Sequence, residues 1–460
     1  MKVATETETS SRPWWLALIW LTGAAALVLT ATPAGAQTVI RGGEVMTVSG
    51  DTFDEGTVVI GADGTIKAVG GADMDLPSME GEPEVVDASG KVVTPGLVDV
   101  GTRLGLAEVW AVGSTRDHDR GGQSRIRAAF RTSDAFNPDS TAIPVSRTGG
   151  VTSAVIVPGG GIVAGQSAWI DLKGREVGHA HVAESPVGMH IQLGPRRARR
   201  WGLRSRAAVL EELRELYDNV TYFDEHREDF NRNRIRPMEA SRLDLEALVP
   251  TAEGELPVVF HVNRADEILR ALEFSDEVGL DLIIAGGAEA WKVADRLAER
   301  RVPVVVNPHA NLPARFSALG ARADSAALLA EAGVPVVIST FGTHNVRKLR
   351  QLAGNAVRAG LSHEEALRAV TGTPAAAFGQ DEDYGSLQAG NTANVVVWSG
   401  DPFEMSSRVD AMFIDGESVT TNNRHRELME RYRTLERRGE PADERADDES
   451  VDSTSGSASE

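Results

Sequence analysis

The 460-residue sequence contains no cysteine. This absence excludes disulfide bonds, thiolate metal ligands, a cysteine nucleophile and a lipid-modified cysteine behind a leader peptide. Long apolar runs are also scarce: after residue 29 none approaches the roughly 20 residues that a membrane-spanning helix needs. The chain beyond a leader segment is therefore predicted to be soluble.

Basic residues are fewer than acidic residues in this sequence. The formal net charge is −20, which argues against nucleic acid and anionic membrane surfaces as partners. The charge is uneven, because residues 439–460 hold eight acidic residues against one arginine. A Ser-, Asp- and Glu-rich stretch of this kind is typical of a disordered, solvating tail. We expect residues 426–460 to form a helix followed by this tail.

The N-terminus has the pattern of an export signal. Lys2 and Arg12 precede an apolar run over residues 14–29, and Ala34-Gly35-Ala36 is a small-x-small cleavage site. We predict a signal peptide over residues 1–36 and an exported, periplasmic protein. An uncleaved membrane anchor is the alternative.

Two β-rich patches flank a long middle. Residues 37–93 show short β-type runs with an Asp63-Gly64 hairpin signal, and residues 380–425 show a second set. We predict one small composite β domain, a β-sandwich built from both chain ends.

The middle, residues 94–379, alternates apolar runs with helical stretches, which predicts a parallel sheet covered by helices and, at this length, a (β/α)8 barrel. An open doubly wound sheet is the rival, although Pro158-Gly159-Gly160-Gly161 lacks the dinucleotide-binding spacing. The predicted strands cover residues 152–157, 187–193, 256–262, 280–285, 302–307 and 334–340, and the predicted helices cover residues 207–216, 265–274, 288–299, 325–332 and 346–359.

The segment 93–104 (VTPGLVDVGTRL) resembles the first barrel strand of the amidohydrolase superfamily, in which Pro-Gly-apolar-apolar-Asp is followed one residue later by His-x-His. Further stretches resemble the imidazolonepropionase-like branch of that superfamily. They are residues 134–138, 149–155, 361–371 with Pro374-Ala375, 385–390, 397–398 and 400–402. The resemblance extends over nearly all of the chain after residue 36 and implies the barrel fold.

The resemblance also implies a catalytic centre of one or two divalent metals, which lower the pKa of bound water while a strand-end Asp takes the proton. Most of the implied ligands are absent from this sequence. Gly101 and Arg103 replace the His-x-His pair, and neither offers a metal-binding lone pair. No lysine lies between Lys173 and Lys292, where a bridging lysine is expected. His261 matches the fifth-strand histidine, whereas Gly286-Gly287 and Phe341 stand where the family has His and Asp.

Three histidines follow predicted strands and would share the carboxyl-end face of a barrel: His261, His309 and His344. They could form a relocated metal or acid/base site, with Asn307 or Asp266; three unrelated polar residues are the simpler interpretation. Arg103 could replace the lost metal charge electrostatically. We interpret His179-Ala180-His181 as an exposed hairpin, His118 as solvated, and the arginine cluster 196–200 as paired with nearby acids rather than anion-binding.

Three functions remain open. The first is a hydrolase of non-peptide C–N bonds in cyclic amides or amidines, by resemblance, with weak or no metal-dependent activity. The second is a non-catalytic exported binding protein or partner subunit, in a homo-oligomer or beside a metal-bearing relative. The third is a hydrolase with the relocated site at His261, His309 and His344. We expect an unknown small-molecule ligand and no metal cofactor, a single zinc ion being the alternative.

Overall fold

A computed structural model describes residues 37–79, 81–119, 121–122, 124–174, 182–194, 203, 205–234, 236 and 238–433. The predicted signal peptide, the His179-Ala180-His181 hairpin, the arginine cluster and the acidic tail beyond residue 433 lie outside these residues. No helix among the described residues combines the length and apolarity needed to cross a membrane.

Sixteen strands lie within the described residues. They are β1 (Thr38–Met46), β2 (Thr52–Ile60), β3 (Ile66–Gly70), β4 (Glu84–Asp87), β5 (Val92–Pro95), β6 (Leu97–Thr102), β7 (Val151–Ile156), β8 (Val163–Asp171), β9 (Val182–Gln192), β10 (Val258–Val262), β11 (Leu282–Gly286), β12 (Val304–Val306), β13 (Val336–Ile338), β14 (Val395–Trp398), β15 (Val409–Ile414) and β16 (Glu417–Ser418).

The α-helices are named here by their residues. They are Ala142–Arg147, Arg206–Glu225, Arg227–Asn231, Arg242–Ala252, Ala265–Val278, Ala294–Glu299, Ser325–Glu331, Leu349–Arg358, His363–Arg368, Gly372–Ala377 and Arg424–Arg433. Short 3-10 helices cover Gly113–Thr115, Ser133–Ala135, Ala290–Val293, Phe316–Ala318 and Val346–Lys348.

The first sheet combines strands from both chain ends. Its order is β16-β15-β14-β5-β1-β2-β3, with β4 pairing beside β1. The strand β14, from the C-terminal part, runs antiparallel to β5, from the N-terminal part. Ile40, Val58 and Val395 belong to one buried cluster, so residues more than 300 positions apart share a core.

The second sheet is the barrel, with the order β6-β7-β8-β9-β10-β11-β12-β13. The strands β9 to β13 pair in parallel, whereas β8 runs antiparallel to both of its neighbours. The prediction of a barrel with a separate sheet domain is confirmed. One strand was missed, because every residue of β8 is buried and a strand without polar alternation gives no period-2 signal.

The barrel nearly closes between its edge strands β6 and β13. The backbone N–H of Val98 on β6 donates to the carbonyl of Val370 at 2.8 Å, and that of Ile338 on β13 donates to Ala369 at 2.9 Å. Both edges therefore bond the same short segment. The barrel interior is filled by apolar side chains, among them Val259 and Trp169. The barrel is therefore a packed core, and a ligand-binding site is expected at the carboxyl ends of its strands.

The helix Ala265–Val278 illustrates how the sequence sets an element's ends. Glu267 accepts hydrogen bonds from the backbone N–H groups of Asn263 and Arg264 at its start, which satisfies donors that would otherwise lack partners. Gly279 ends it with φ 85°, a conformation that glycine adopts at no steric cost. The helix Arg242–Ala252 was not predicted, although Ser241 accepts from the N–H of Asp244 as its N-cap.

Candidate functional site at the barrel mouth

The carboxyl ends of the parallel strands β6, β7 and β9 to β13 form one end of the barrel, called the barrel mouth below. Active sites of such barrels lie at this end. His190 on β9 and His261 on β10 reach the mouth, and Arg103 lies directly after β6. On β10, Phe260 faces outward, whereas Val259 and His261 face the inside of the barrel. His190 stands between the outward-facing residues Met189 and Ile191.

The two histidines form a pair. His190 Nδ1 and His261 Nε2 are 3.0 Å apart, which is a hydrogen-bond distance, so one ring donates a proton to the other. His190 is 1% exposed, and its second nitrogen, Nε2, finds no hydrogen-bond partner among the described residues. Burial, with the neighbouring His261 and the Arg103 charge, lowers the pKa of His190 well below its ordinary value. His190 is therefore neutral at pH 7.

Asp99 on β6 is fully buried and contacts the segment that follows β13. Its Oδ1 accepts hydrogen bonds from Ser339 Oγ at 2.6 Å and from the Thr340 N–H at 3.2 Å, and the Thr340 hydroxyl donates to Oδ2. Burial raises the pKa of Asp99, and the bonds from Ser339 and Thr340 oppose this shift. Asp99 thus ties β6 to the segment after β13.

Gly101 has no room for a side chain. A Cβ atom there would lie 2.6 Å from Ser339 Oγ and 2.8 Å from Phe341 Cδ1, well inside van der Waals contact. Phe341 has φ 48°, an uncommon and strained backbone conformation for a bulky residue. The Phe341 ring therefore stands where a side chain at position 101 would begin.

Two glycines at the end of β11 also have no room for a side chain. Gly286 and Gly287 have φ values of 102° and 52°, in the left-handed region that favours glycine. A Cβ on Gly286 would lie 2.9 Å from the Val262 carbonyl, and one on Gly287 would lie 2.8 Å from Val304 Cγ1. A histidine at either position would require the backbone to move.

Arg103 lies in a small aromatic corner of the mouth. Its Cζ is 5.8 Å from the centre of the Trp110 ring, within the range of a cation–π contact. The His118 ring packs edge-on against Trp110 with centres 4.9 Å apart. A Cβ on Gly159 would come within 2.8 Å of His118 and 3.4 Å of Arg103 Nη2. His118 is thus half-buried rather than solvated as predicted, because the glycine backbone lets its ring pack.

The structure gives the three histidines of the predicted relocated site three different partners. His309 Nε2 lies 2.7 Å from Asn355 Nδ2, His344 Nε2 lies 2.9 Å from the Glu108 carbonyl, and His261 pairs with His190. His309 and His344 are exposed.

The two accessory candidates also have partners of their own. Asn307 donates to the Thr340 carbonyl at 3.0 Å and accepts from the His309 N–H at 2.8 Å. Asp266 is exposed and accepts from Arg264 Nε at 2.7 Å. Local turn and helix contacts therefore account for both side chains.

His190 and Trp110 are the mouth residues that the sequence analysis missed. His190 lies in a predicted strand, but a lone histidine among apolar residues carries no motif. Its register beside β10 could have identified it, because His190 pairs with Val259, two residues before His261. Trp110 lies in an irregular loop after β6, and nothing in its spacing points to the mouth.

A groove of about 790 Å³ lies near the start of the helix Arg242–Ala252. Its walls combine three carboxylates and one arginine with apolar side chains. They include Asp117, Asp119, Asp134, Arg131, Phe130 and Leu243.

Comparisons with known proteins agree with this fold and sequence pattern. Residues 265–419 match the Amidohydrolase family model. An imidazolonepropionase from Staphylococcus aureus (strain MRSA252) is 27% identical over 376 residues, which cover 75% of this chain and 83% of that protein. The crystal structure of an amidohydrolase from Thermotoga maritima MSB8 superposes with a TM-score of 0.74 at 27% identity, over 83% of this chain and 99% of that one. In sequence and in fold, the chain is therefore similar to proteins of the amidohydrolase superfamily.

A third relative is longer. Amidohydrolase tasK from Hapsidospora irregularis is 23% identical over 375 residues, which cover 75% of this chain but 38% of that protein. The chain therefore spans well under half the length of this relative, so nothing about the whole of that protein transfers directly.

The superfamily implies a metal centre, but the residues at this mouth do not fit one. Position 101 is closed by Phe341, position 103 carries a permanent cation, and Gly286 offers no ligand atom. Within the described residues no three His, Asp or Glu side chains are grouped so that they could hold a metal ion. A catalytic zinc needs about three protein ligands, and the His190–His261 pair supplies two imidazoles at most.

Proposed function

We propose that this amidohydrolase-superfamily protein has no metal-dependent hydrolase activity and uses its barrel mouth to bind a small molecule. The observation that carries this proposal is the closure of position 101 by the Phe341 ring. In the superfamily pattern, the side chains at positions 101 and 103 are metal ligands. Here position 101 has no room for a side chain and position 103 carries a positive charge, and both features disfavour metal binding.

The polar groups that remain at the mouth support a binding role. Neutral His190 has a buried nitrogen turned away from its partner His261, and a buried polar atom without a partner is costly unless something satisfies it. One relative is named an imidazolonepropionase, and we propose a ligand of the size of imidazolonepropionate for this mouth. We also propose, from the N-terminal sequence alone, that the protein is exported.

The test measures metal content and hydrolysis separately. The full-length protein, purified without chelators or added metal, is expected to contain less than about 0.1 zinc, iron or manganese per chain by plasma mass spectrometry. It is also expected to hydrolyse neither imidazolonepropionate nor a panel of cyclic amides, with or without added zinc. The matched variant is His261→Ala, because His261 is the one side chain that coincides with a superfamily ligand.

One outcome would overturn the proposal. About one tightly held metal per chain, lost in His261→Ala together with a hydrolytic activity, would show that the mouth still assembles a catalytic centre. Metal that persists in the variant at the same level would instead be bound elsewhere and would leave the proposal standing.

A further inference from the structure

The buried nitrogen of His190 restricts what the mouth can bind. His190 and His261 share one proton across their 3.0 Å contact. If His261 Nε2–H donates to His190 Nδ1, the remaining proton of neutral His190 sits on Nε2. That N–H group is buried and has no acceptor among the described residues, so a ligand acceptor at this point would satisfy it.

Arg103 supplies the second constraint. It directly follows β6, at the same end of the barrel as His190, and its charge contributes to the lowered pKa of that ring. Arginine is permanently charged and offers planar paired N–H donors that match a carboxylate. A metal cation in the same place would be repelled by Arg103, whereas an anion would be attracted.

The wall beside Arg103 is aromatic. Trp110 and His118 pack edge-on at 4.9 Å, and Trp110 is 39% exposed at the rim. Part of the indole surface is therefore available to a planar or apolar group attached to the anion, at an angle set by the loop after β6.

We propose that the barrel mouth is a binding site for a small organic carboxylate, whose oxygens accept hydrogen bonds from Arg103 and from His190 Nε2–H while its apolar part packs against Trp110. This inference rests on the proposed binding function and adds the chemical class of the ligand. His261 acts as a positioning residue in this site, because it holds the His190 ring and fixes which nitrogen carries the outward proton.

The experiment compares two isosteric probes, benzoate and benzamide, with the full-length protein. The first is an anion and the second is its neutral counterpart of the same shape. Binding is measured by calorimetry or by ligand-observed NMR at pH 7 and moderate salt. We expect benzoate to bind saturably and at least about tenfold more tightly than benzamide, because charge-assisted hydrogen bonds are the stronger ones.

Variants then locate the site. Arg103→Gln keeps a polar side chain of similar reach and is expected to weaken benzoate binding by at least about tenfold while leaving benzamide binding nearly unchanged. Arg408→Gln, which alters an exposed arginine between β14 and β15 of the first sheet, is the matched control and is expected to bind benzoate like the wild type. A ¹⁵N NMR titration adds an independent readout, since benzoate should shift the His190 Nε2 resonance.

Two results would overturn the carboxylate site. One is equal binding of benzoate and benzamide to the wild-type protein, which needs no variant to fold. The other is a benzoate affinity that falls equally in Arg103→Gln and Arg408→Gln, which would indicate a general effect of surface charge. Either result leaves the metal and hydrolysis measurements untouched, so this inference can fail while the proposed loss of metal-dependent activity stands.

Discussion

Asp171 and His190, two buried polar residues near opposite ends of the barrel, differ in how completely they are hydrogen-bonded. At the amino end, buried Asp171 on β8 accepts hydrogen bonds from Ser153 Oγ at 2.6 Å, Tyr384 OH at 2.9 Å and Asn394 Nδ2 at 3.1 Å. At the mouth, buried His190 has one bonded nitrogen and one, Nε2, with no partner among the described residues. The first group is fully engaged in holding the protein together, and the second is not.

We interpret the Asp171 network as a stabilising feature and the unpaired His190 nitrogen as a functional one. Asn394 precedes β14 of the first sheet and Tyr384 also lies outside the barrel strands, so the Asp171 network joins the two sheets. The mouth instead combines the strained backbone of Phe341 with an unsatisfied imidazole nitrogen. Strain and unpaired polar groups persist where function selects them, and barrels place function at this end.

The largest effect is expected at the amino end. Asp171→Ala removes the common acceptor of Ser153, Asn394 and Tyr384 and leaves buried donors without a partner. We expect the free energy of unfolding to fall by about 3 kcal/mol, as measured by urea denaturation. The control is Asp276→Ala, which removes half of an exposed ion pair with Arg300 and should cost less than about 1 kcal/mol. Equal losses in the two variants would contradict the structural role of Asp171.

The closure of the mouth is expected to have the next largest effect. Gly101→Ala places a methyl group 2.6 Å from Ser339 Oγ and 2.8 Å from Phe341 Cδ1. Overpacking of this kind costs about 2 kcal/mol, which a thermal or urea melt would detect. The control is Gly194→Ala, because no atom of the described residues lies within 4 Å of a Cβ added there.

A double-mutant cycle identifies the Phe341 ring as the obstacle. In a Phe341→Ala background the penalty of Gly101→Ala should shrink, since the ring that the methyl group meets is gone; neighbouring residues are expected to couple in this way. An unchanged penalty would show that Ser339 or the backbone, rather than Phe341, closes the position.

Acid–base behaviour gives the third test. Burial raises the pKa of Asp171 above its ordinary value of 3.8, against the hydrogen bonds from Ser153, Tyr384 and Asn394. The folded protein then binds the Asp171 proton more tightly than the unfolded chain does. The resulting stabilisation is fully present below pH 3.8 and is lost as the pH rises through the raised folded pKa.

Asp171→Asn abolishes this titration, so the stability of the wild type relative to the variant should decline with rising pH above 3.8. The decline cannot exceed about 1.4 kcal/mol per pH unit, and urea melts at closely spaced pH values would follow it. Asp63 is a control of opposite sign, because Lys67 holds its pKa below the ordinary range. A flat difference between wild type and Asp171→Asn would mean that the Asp171 pKa is not raised.

The sequence predicted the scaffold better than the mouth. Alternating apolar runs and helical stretches predict the barrel, because burial repeats along each element and is local information. The partners of His261 depend on contacts across the barrel: His190 is 71 positions away, and Phe341 is 240 positions from Gly101. Gly101, Arg103 and His261 were identifiable because a family pattern marks their positions, whereas no such pattern marks His190.

The smallest effect on stability is expected at the rim of the mouth. Phe316, in the loop after β12, is 90% exposed, and Leu312 in the same loop is 72% exposed. Phe316→Ser removes very little buried surface, so the free energy of unfolding should change by less than about 0.5 kcal/mol. If the rim instead pairs two copies of the chain, the same substitution would lower the association constant in sedimentation velocity, with Met405→Ser, at a distant exposed position, as the control. A loss of several kcal/mol from Phe316→Ser in the monomer would contradict the contrast between the two ends, because it would place a stabilising contact where the structure shows an exposed ring.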